Sequence, residues 1–461
     1  MALIDANGNL RWLSALRLLR AILVNPIDVW SQEHFRSLFV VMRTPFGTRA
    51  VVSDPKAIKR ILVDNASNYR RDDLQRRVML RTTGRSVFFV EDAQWRLQRR
   101  ALAPFFSLRA MQAYLAGMIE ASQALVERVL GLGEDADIEI AGEMATTTVD
   151  VLARTLFPVG LGEPAAAVGV SVRRFSDVTG RVSLGDLMGL SSWAPDFRMI
   201  FGRGAVRAVR RRARRVVALA RSGSEVRPIA ADVVAALTAA RDPDTGDALS
   251  EREIEDNVST LIGAGSDTVA MAMTWTLFLL AQAPDIRAKV EMEIDSILGA
   301  DPVTLEALER LVWTRAAIEE AMRLYPPAPA IGRVAIAADR LGEIDWPAGG
   351  EIMIAPWVLH RHELLWSEPE RFDPTRFLPE HREKILPFSY LPFGAGPRIC
   401  LGIAFAMQEA VVVLATLLQT LRFDRADDRP IRLRHCITLQ PRDGIHMRAS
   451  RRRVALENAK P

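Results

Sequence analysis

The chain has 461 residues, 49% of them apolar and 25% charged, which is enough apolar side chain for a large core and excludes global disorder. Sixty basic against 56 acidic residues leave a net charge of +4 and a pI near 9.3; with no nucleic-acid motif beside it, that small excess does not describe a nucleic-acid binder. Two cysteines, Cys400 and Cys436, exclude a disulfide framework and point to a reducing, cytoplasmic setting.

Near the start, "LRWLSALRLLRAILV" (10–24) is interrupted by Arg11, Arg17 and Arg20, which a signal peptide would not carry, and it is too short and charged to span a bilayer. Trp12, Leu16, Leu19 and Leu23 recur at helical spacing, so the segment reads as an amphipathic helix on the protein body, with peripheral membrane contact as the lesser alternative. "FVVMRTPFGTRAVVS" (39–53) and "IRLRHCITLQPRDGIHMRAS" (431–450) carry strand patterns, the second with a turn at Arg442, Asp443 and Gly444. Helical patterns fill the space between. The fold class expected is mainly α with a smaller β part (α+β) that joins the two ends.

No repeat or flexible linker divides the chain, so 1–461 is expected to be one domain. Its β-rich parts are placed at about 36–65, 330–360 and 430–450, and its helical body at about 66–325 and 400–422. "RGAVRAVRRRARRVVALAR" (203–221) holds eight arginines around a packed Val206, Val209, Ala213, Val216 and Ala220 stripe, best read as a helix with a solvated basic face. Glu253 to Ala281 is the longest apolar segment; Asp267 inside it argues against a membrane span and for a buried central helix of about 40 Å.

Within that helix "GAGSDT" (263–268) places two helix-weakening glycines before an acid and a hydroxyl. Buried polar groups need partners; Thr268 can bond the Ala264 carbonyl and loosen the turn, which leaves a niche for a diatomic ligand and a water. A kink without chemistry is the plainer alternative. In "EEAMRLYPPAP" (319–329), Glu320 and Arg323 stand three apart on one helix face and can pair. "WSEPERFDPTRFLPE" (366–380) is irregular chain that offers Arg371 and Arg376 as a second cation for Glu320.

In "FGAGPRICLG" (393–402), Gly394 and Gly396 permit left-handed backbone, Pro397 stiffens the loop, and a helix is expected to begin at Cys400. The six histidines show no protease-like pattern around that cysteine, and no CxxC accompanies it, so nucleophile and zinc roles are poor fits. A thiol at a helix N-terminus is set to be a thiolate, against the bland alternative of a small buried hydrophobe.

This loop resembles the haem-binding loop of the cytochrome P-450 haem-thiolate monooxygenases, with Phe393, Gly396, Arg398, Cys400 and Gly402 on pattern. "AGSDT" (264–268) is similar to that family's oxygen-activating turn, Glu320 and Arg323 to its ExxR pair, "PTRF" (374–377) to its PxRF segment and "WRLQR" (95–99) to its WxxxR. "PERF" (369–372) competes with "PTRF"; the text of similar proteins selects Arg376. Val269 stands where many relatives have a second threonine.

The resemblance implies the cytochrome P-450 fold, with haem b between a long central helix and the cysteine loop, and an iron whose axial ligand is Cys400. It implies haem contacts from Arg398, Trp95, Arg99, Arg333, Phe393, Gly394, Gly402, Ala264 and Gly265, with the arginines on the propionates. Asp267 and Thr268 would carry protons to dioxygen, while Glu320, Arg323 and Arg376 form a structural network. Val87, Phe88, Ala264, Thr268, Ala328, Ile331, Ile437 and Thr438 are the expected substrate-pocket residues. The expected activity is insertion of one oxygen atom of O2 into a lipophilic small molecule, with electrons from a ferredoxin or flavodoxin and its reductase, since no flavin or iron–sulfur signature appears in the chain. No transmembrane anchor is expected. The rivals are a haem-thiolate peroxygenase or isomerase and, from another class, a haem protein that binds ligands without turnover.

Overall fold

The structure is a computed structural model that describes residues 19–44, 47–180, 197–222 and 232–452. The helices that build the site are α1 (Asp92–Leu102), α2 (Leu108–Gly131), α3 (Ile140–Arg154), α4 (Ala165–Thr179), α5 (Phe197–Ser222), α6 (Glu251–Gln282), α7 (Val312–Leu324) and α8 (Ile403–Thr420). Strands β1 (Phe39–Thr44), β2 (Gly47–Val52) and β3 (Tyr69–Arg71) come early, and β4 (Ala136–Glu139) lies between α2 and α3. Then β5 (Ile331–Ala335), β6 (Asp339–Leu341), β7 (Ile344–Trp346) and β8 (Glu351–Ile354) follow α7, and β9 (Leu421–Arg425), β10 (Leu433–His435), β11 (Leu439–Pro441) and β12 (His446–Arg451) follow α8.

α6 runs two residues longer at its start than the apolar pattern predicts and one longer at its end, about 48 Å in all. Ser250 and Glu253 cap it reciprocally: the Glu253 N–H donates to Ser250 Oγ and the Ser250 N–H to Glu253 Oε2. Pro284 ends it by opening the next helix. α3, α5, α7 and α8 all pack against it, so it is apolar on nearly every face. α6 and α8 are long and apolar enough to cross a membrane, yet most of each is buried by neighbouring helices. The basic helix is longer than its charged run, starting at Phe197, and Val206, Val209, Ala213 and Val216 form its buried stripe.

The β parts depart from expectation. β1 and β2 belong to a five-stranded sheet of order β1-β2-β8-β5-β3, whereas β12 pairs with β9 and β4 in a sheet of its own and β10–β11 form a hairpin. The two ends meet instead through Asn25, whose side-chain amide donates to the Leu433 carbonyl and accepts from the His435 N–H. Within 36–65, residues 55–64 are helical, because Asp54 caps the turn and Pro55 occupies its first position. The N-terminal stretch 10–18 and residues 181–196 lie outside the described residues, while 19–24 are helical as expected.

One buried charge in α8 has a measurable consequence. Glu409 is fully buried and neither carboxyl oxygen has a hydrogen-bond partner among the described residues, so burial pushes its pKa well above the usual carboxylate range. The folded state therefore holds a proton that the unfolded chain releases. The fold is favoured below the ordinary glutamate pKa and loses that contribution as pH climbs through the raised folded value. Glu409→Gln should flatten the decline of stability toward alkaline pH, as read from urea midpoints across a pH series.

Candidate active site

The cysteine loop is held by backbone geometry. Gly394 and Gly396 are both left-handed, at φ of +69° and +72°. A Cβ on Gly396 would collide with the Leu62 carbonyl oxygen, so this position admits only glycine. Gly396→Ala should displace the loop, lowering holoprotein yield and thermal midpoint; Gly394→Ala, whose Cβ would meet only Ile331 at 3.8 Å, should do less harm. The Cys400 N–H donates to the Phe393 carbonyl at 3.0 Å, and Arg99 Nη1 donates to the Ile399 carbonyl at 3.0 Å, tying α1 to the loop.

α8 begins at Ile403 and not at Cys400, because Gly402 takes the cap position and the loop's last turn is not yet helical. The thiol thus precedes the helix N-terminus. Burial pushes its pKa up, while the Gly402 N–H and the Arg99 charge pull it down. Cys400 keeps accessible surface even though protein encloses it on most sides, as a group on the wall of a deep cavity does. Cys436 is buried, with its sulfur 4.0 Å from Asp177 Oδ1.

Within the 263–268 stretch of α6 Ala264 is exposed and Thr268 half-buried, and the Thr268 hydroxyl donates to the Ala264 carbonyl at 2.8 Å while the helix continues unbroken. Asp267 points elsewhere. It is 3% exposed and accepts from Thr438 Oγ1 at 2.7 Å, from Ser176 Oγ at 3.1 Å and from Gln440 Nε2 at 3.3 Å. Burial raises its pKa against those three donors. Ser176 and Gln440, which hold this carboxyl, carry no sequence signal; only the approach of α4 and the β10–β11 hairpin to α6 brings them there. The Trp275 indole N–H fixes that hairpin by donating to the Leu439 carbonyl at 3.2 Å.

One expected position is corrected. Thr438 does not line a pocket: it is 1% exposed and engaged with Asp267. The space beside Gly265 faces Leu152 of α3, 3.1 Å from where a Cβ would sit, so this glycine permits close helix packing. Ile437 packs on Phe175, Val206 and Val209 between α4 and α5. Ala328 is exposed and Ile331 half-buried beside Gly394, whereas Val87 is anchored through its N–H to Asn257 Oδ1 and Phe88 lies under the Arg71 guanidinium at 4.4 Å.

The cations gather at one place. Arg398 lies over the Trp95 ring at 4.3 Å, donates to the Val90 carbonyl at 2.8 Å and pairs with Glu91. Arg99 lies 5.6 Å from the same ring. Arg333 is 8% exposed. Sequence reasoning missed Arg71, which stands directly opposite Arg333 where β3 pairs with β5. Burial, then Arg333 and Arg398, push the Arg71 pKa down to about 9, and its Nε has no hydrogen-bond partner among the described residues. Like charges facing one another across a sheet destabilise it unless an anion lies between. Glu91 and Asp72 are the carboxylates that act on Arg71 and Arg333, too few for this cluster of arginines.

Behind the loop, Arg323 meets Glu320 through Nε at 2.7 Å and Nη2 at 2.8 Å, both side chains fully buried. Its remaining N–H groups donate to the carbonyls of His360, Pro369 and Arg371. Arg376 Nε stands 3.6 Å from Glu320 Oε1. The Arg371 side chain is on the surface with Glu368 and contributes only its carbonyl.

A single thiol cannot hold a bare ion, and among the described residues no group of three or more His, Cys, Asp or Glu could do so. It suits an iron whose other ligands come from a macrocycle, and the arginine cluster suits that macrocycle's carboxylates. The residues present therefore fit a haem-thiolate centre. The cytochrome P450 family model matches residues 27–447, and the chain belongs to that family.

Protein LUTEIN DEFICIENT 5, chloroplastic, of Arabidopsis thaliana is 28% identical over 92% of this chain and 74% of its own length. Cyclooctat-9-en-7-ol 5-monooxygenase of Streptomyces melanosporofaciens is 31% identical over 72% of each chain, and cyclooctatin synthase of the same organism 41% identical over 40% of each. The crystal structure of the cytochrome P450DA haem domain superposes with a TM-score of 0.78 at 24% identity over 90% of both chains, a likeness of fold. The chain is a haem-thiolate monooxygenase that binds haem b, mainly α with a smaller β part.

Proposed function

We propose that this monooxygenase oxidises a lipophilic terpenoid-like molecule in the cytoplasm and takes electrons from a separate ferredoxin or flavodoxin. The observation that carries the oxidative reading is the Cys400 thiol, which keeps accessible surface while protein encloses it on most sides. Support for the substrate class comes from the relative whose name gives cyclooctat-9-en-7-ol as its substrate.

Cys400 would supply the axial thiolate, with the Gly402 N–H on its sulfur, and Arg71, Arg99, Arg333 and Arg398 would hold the propionates. When bound, the haem supplies activation of dioxygen and transfer of one oxygen atom to the substrate. The chain's own part is orientation, exclusion of water and proton supply. The raised pKa of Asp267 keeps a proton on its carboxyl toward higher pH, and rotation of that side chain away from Thr438 would offer it to the Thr268 hydroxyl.

Arg96 and Arg100 are exposed on α1, the helix that Arg99 ties to the cysteine loop, and so offer a basic face for an acidic electron donor. Reversing both to glutamate should slow reduction by ferredoxin or flavodoxin in a salt-dependent way; stopped-flow rates unchanged by the reversal would sink the docking assignment. A screen of ferric spin-state shifts against terpenoids, fatty acids and aromatics, followed by product analysis, tests the substrate class.

A further inference from the structure

Away from the cysteine, α4, α5 and α6 meet around a narrow recess with one buried cation in its wall. Val172 and Phe175 of α4, Val209 of α5 and Ile262 of α6 make it mostly apolar, and Arg212 of α5 completes it beside Ser259 and Gly263. Arg212 is 3% exposed. Its Nη2 donates to Glu163 Oε2 at 2.6 Å and to Ser171 Oγ at 3.3 Å, whereas no protein group among the described residues accepts from Nε or Nη1. Two buried donors without acceptors are costly unless something supplies an oxygen.

Gly263, in the wall of this recess, immediately precedes the exposed Ala264 on α6. A Cβ on Gly263 would meet nothing within 4 Å, and Thr268 lies one turn beyond Ala264. A molecule lying along Ala264 and Thr268 can therefore reach past Gly263 toward Arg212. Glu163 already balances the guanidinium charge, so a carboxylate brought here would sit near a second carboxylate. A neutral acceptor meets no such penalty, and the apolar walls suit the skeleton that bears it.

We propose that Arg212 binds a neutral acceptor oxygen, a hydroxyl or carbonyl, already present on the lipophilic substrate. This rests on the substrate reading above and sharpens it: the substrate would come from a reaction that has already placed one oxygen on its skeleton. Arg212 would then orient the molecule by its old oxygen so that a distant carbon faces the reacting centre.

The test uses the ferric holoprotein and three probes on one skeleton: limonene, its ketone carvone, and perillic acid, each titrated through the spin-state change. Carvone should bind on the order of 10- to 100-fold more tightly than limonene, and perillic acid no better than limonene. Arg212→Met should erase the carvone preference. Gly263→Leu, which fills the recess while leaving both residues of the Arg212–Glu163 pair in place and favours the helix, should erase it too.

Equal binding of carvone and limonene by the wild type would mean the recess holds only water and would overturn the proposal, as would a preference for the acid or one that survives both variants. If none of the three probes shifts the spectrum while the reduced carbon-monoxide complex shows its thiolate band, it is the lipophilic-substrate reading that falls, and this proposal with it.

Discussion

Cys400→Ser is expected to remove the red-shifted band of the reduced carbon-monoxide complex and to lower turnover by more than two orders of magnitude. Changes to groups that merely orient a metal ligand already cost roughly 10–100-fold, and this one removes the ligand. A serine hydroxyl stays protonated, whereas the thiol, although burial raises its pKa against the pull of the Gly402 N–H and Arg99, can ionise on metal binding. The arginines around Trp95 remain, so haem should still be captured, with altered spectrum. Cys436→Ser is the control: that sulfur is buried beside Asp177, and the band should persist. A band retained in Cys400→Ser, or lost in Cys436→Ser alone, would refute the assignment.

Arg323→Leu should destabilise the protein by about 3–5 kcal/mol, because it strands Glu320 as a fully buried carboxyl without its partner. Set against a typical total of about 5–15 kcal/mol, the expected outcome is little or no holoprotein, measured as carbon-monoxide band per polypeptide and as the urea midpoint of whatever folds. The carbonyls of His360, Pro369 and Arg371 would lose their donor in the same change, loosening the chain that leads to the cysteine loop. Arg376 at 3.6 Å offers Glu320 only partial compensation. Arg371→Ala, by contrast, removes a surface pair with Glu368 and should shift stability by less than about 1 kcal/mol.

What was legible in the sequence was local. The apolar run alone set the limits of α6 to within two residues, and the Ser250–Glu253 capping pair and Pro284 that fix its ends are likewise neighbours in the chain. The Glu320–Arg323 contact follows from i,i+3 spacing, and the left-handed glycines of the loop follow from the PRIC text around them. The start of α8 was misplaced by three residues because a loop and a first helical turn share the same glycine and apolar content.

What the sequence by itself determined, then, was the set of reactive groups and their nearest partners: Cys400, the Asp267–Thr268 step, the Glu320–Arg323 pair. The tertiary structure decided everything that depends on which distant segments meet. Arg71 faces Arg333 only through strand register, 262 residues apart in sequence. Thr438 and Ser176 reach Asp267 only because a hairpin and a helix end converge on α6, and Arg212 keeps unshared donors only because three helices close around it. Backbone propensity and spacing act over a turn or two of chain, whereas burial and charge act through space, and space is filled by packing.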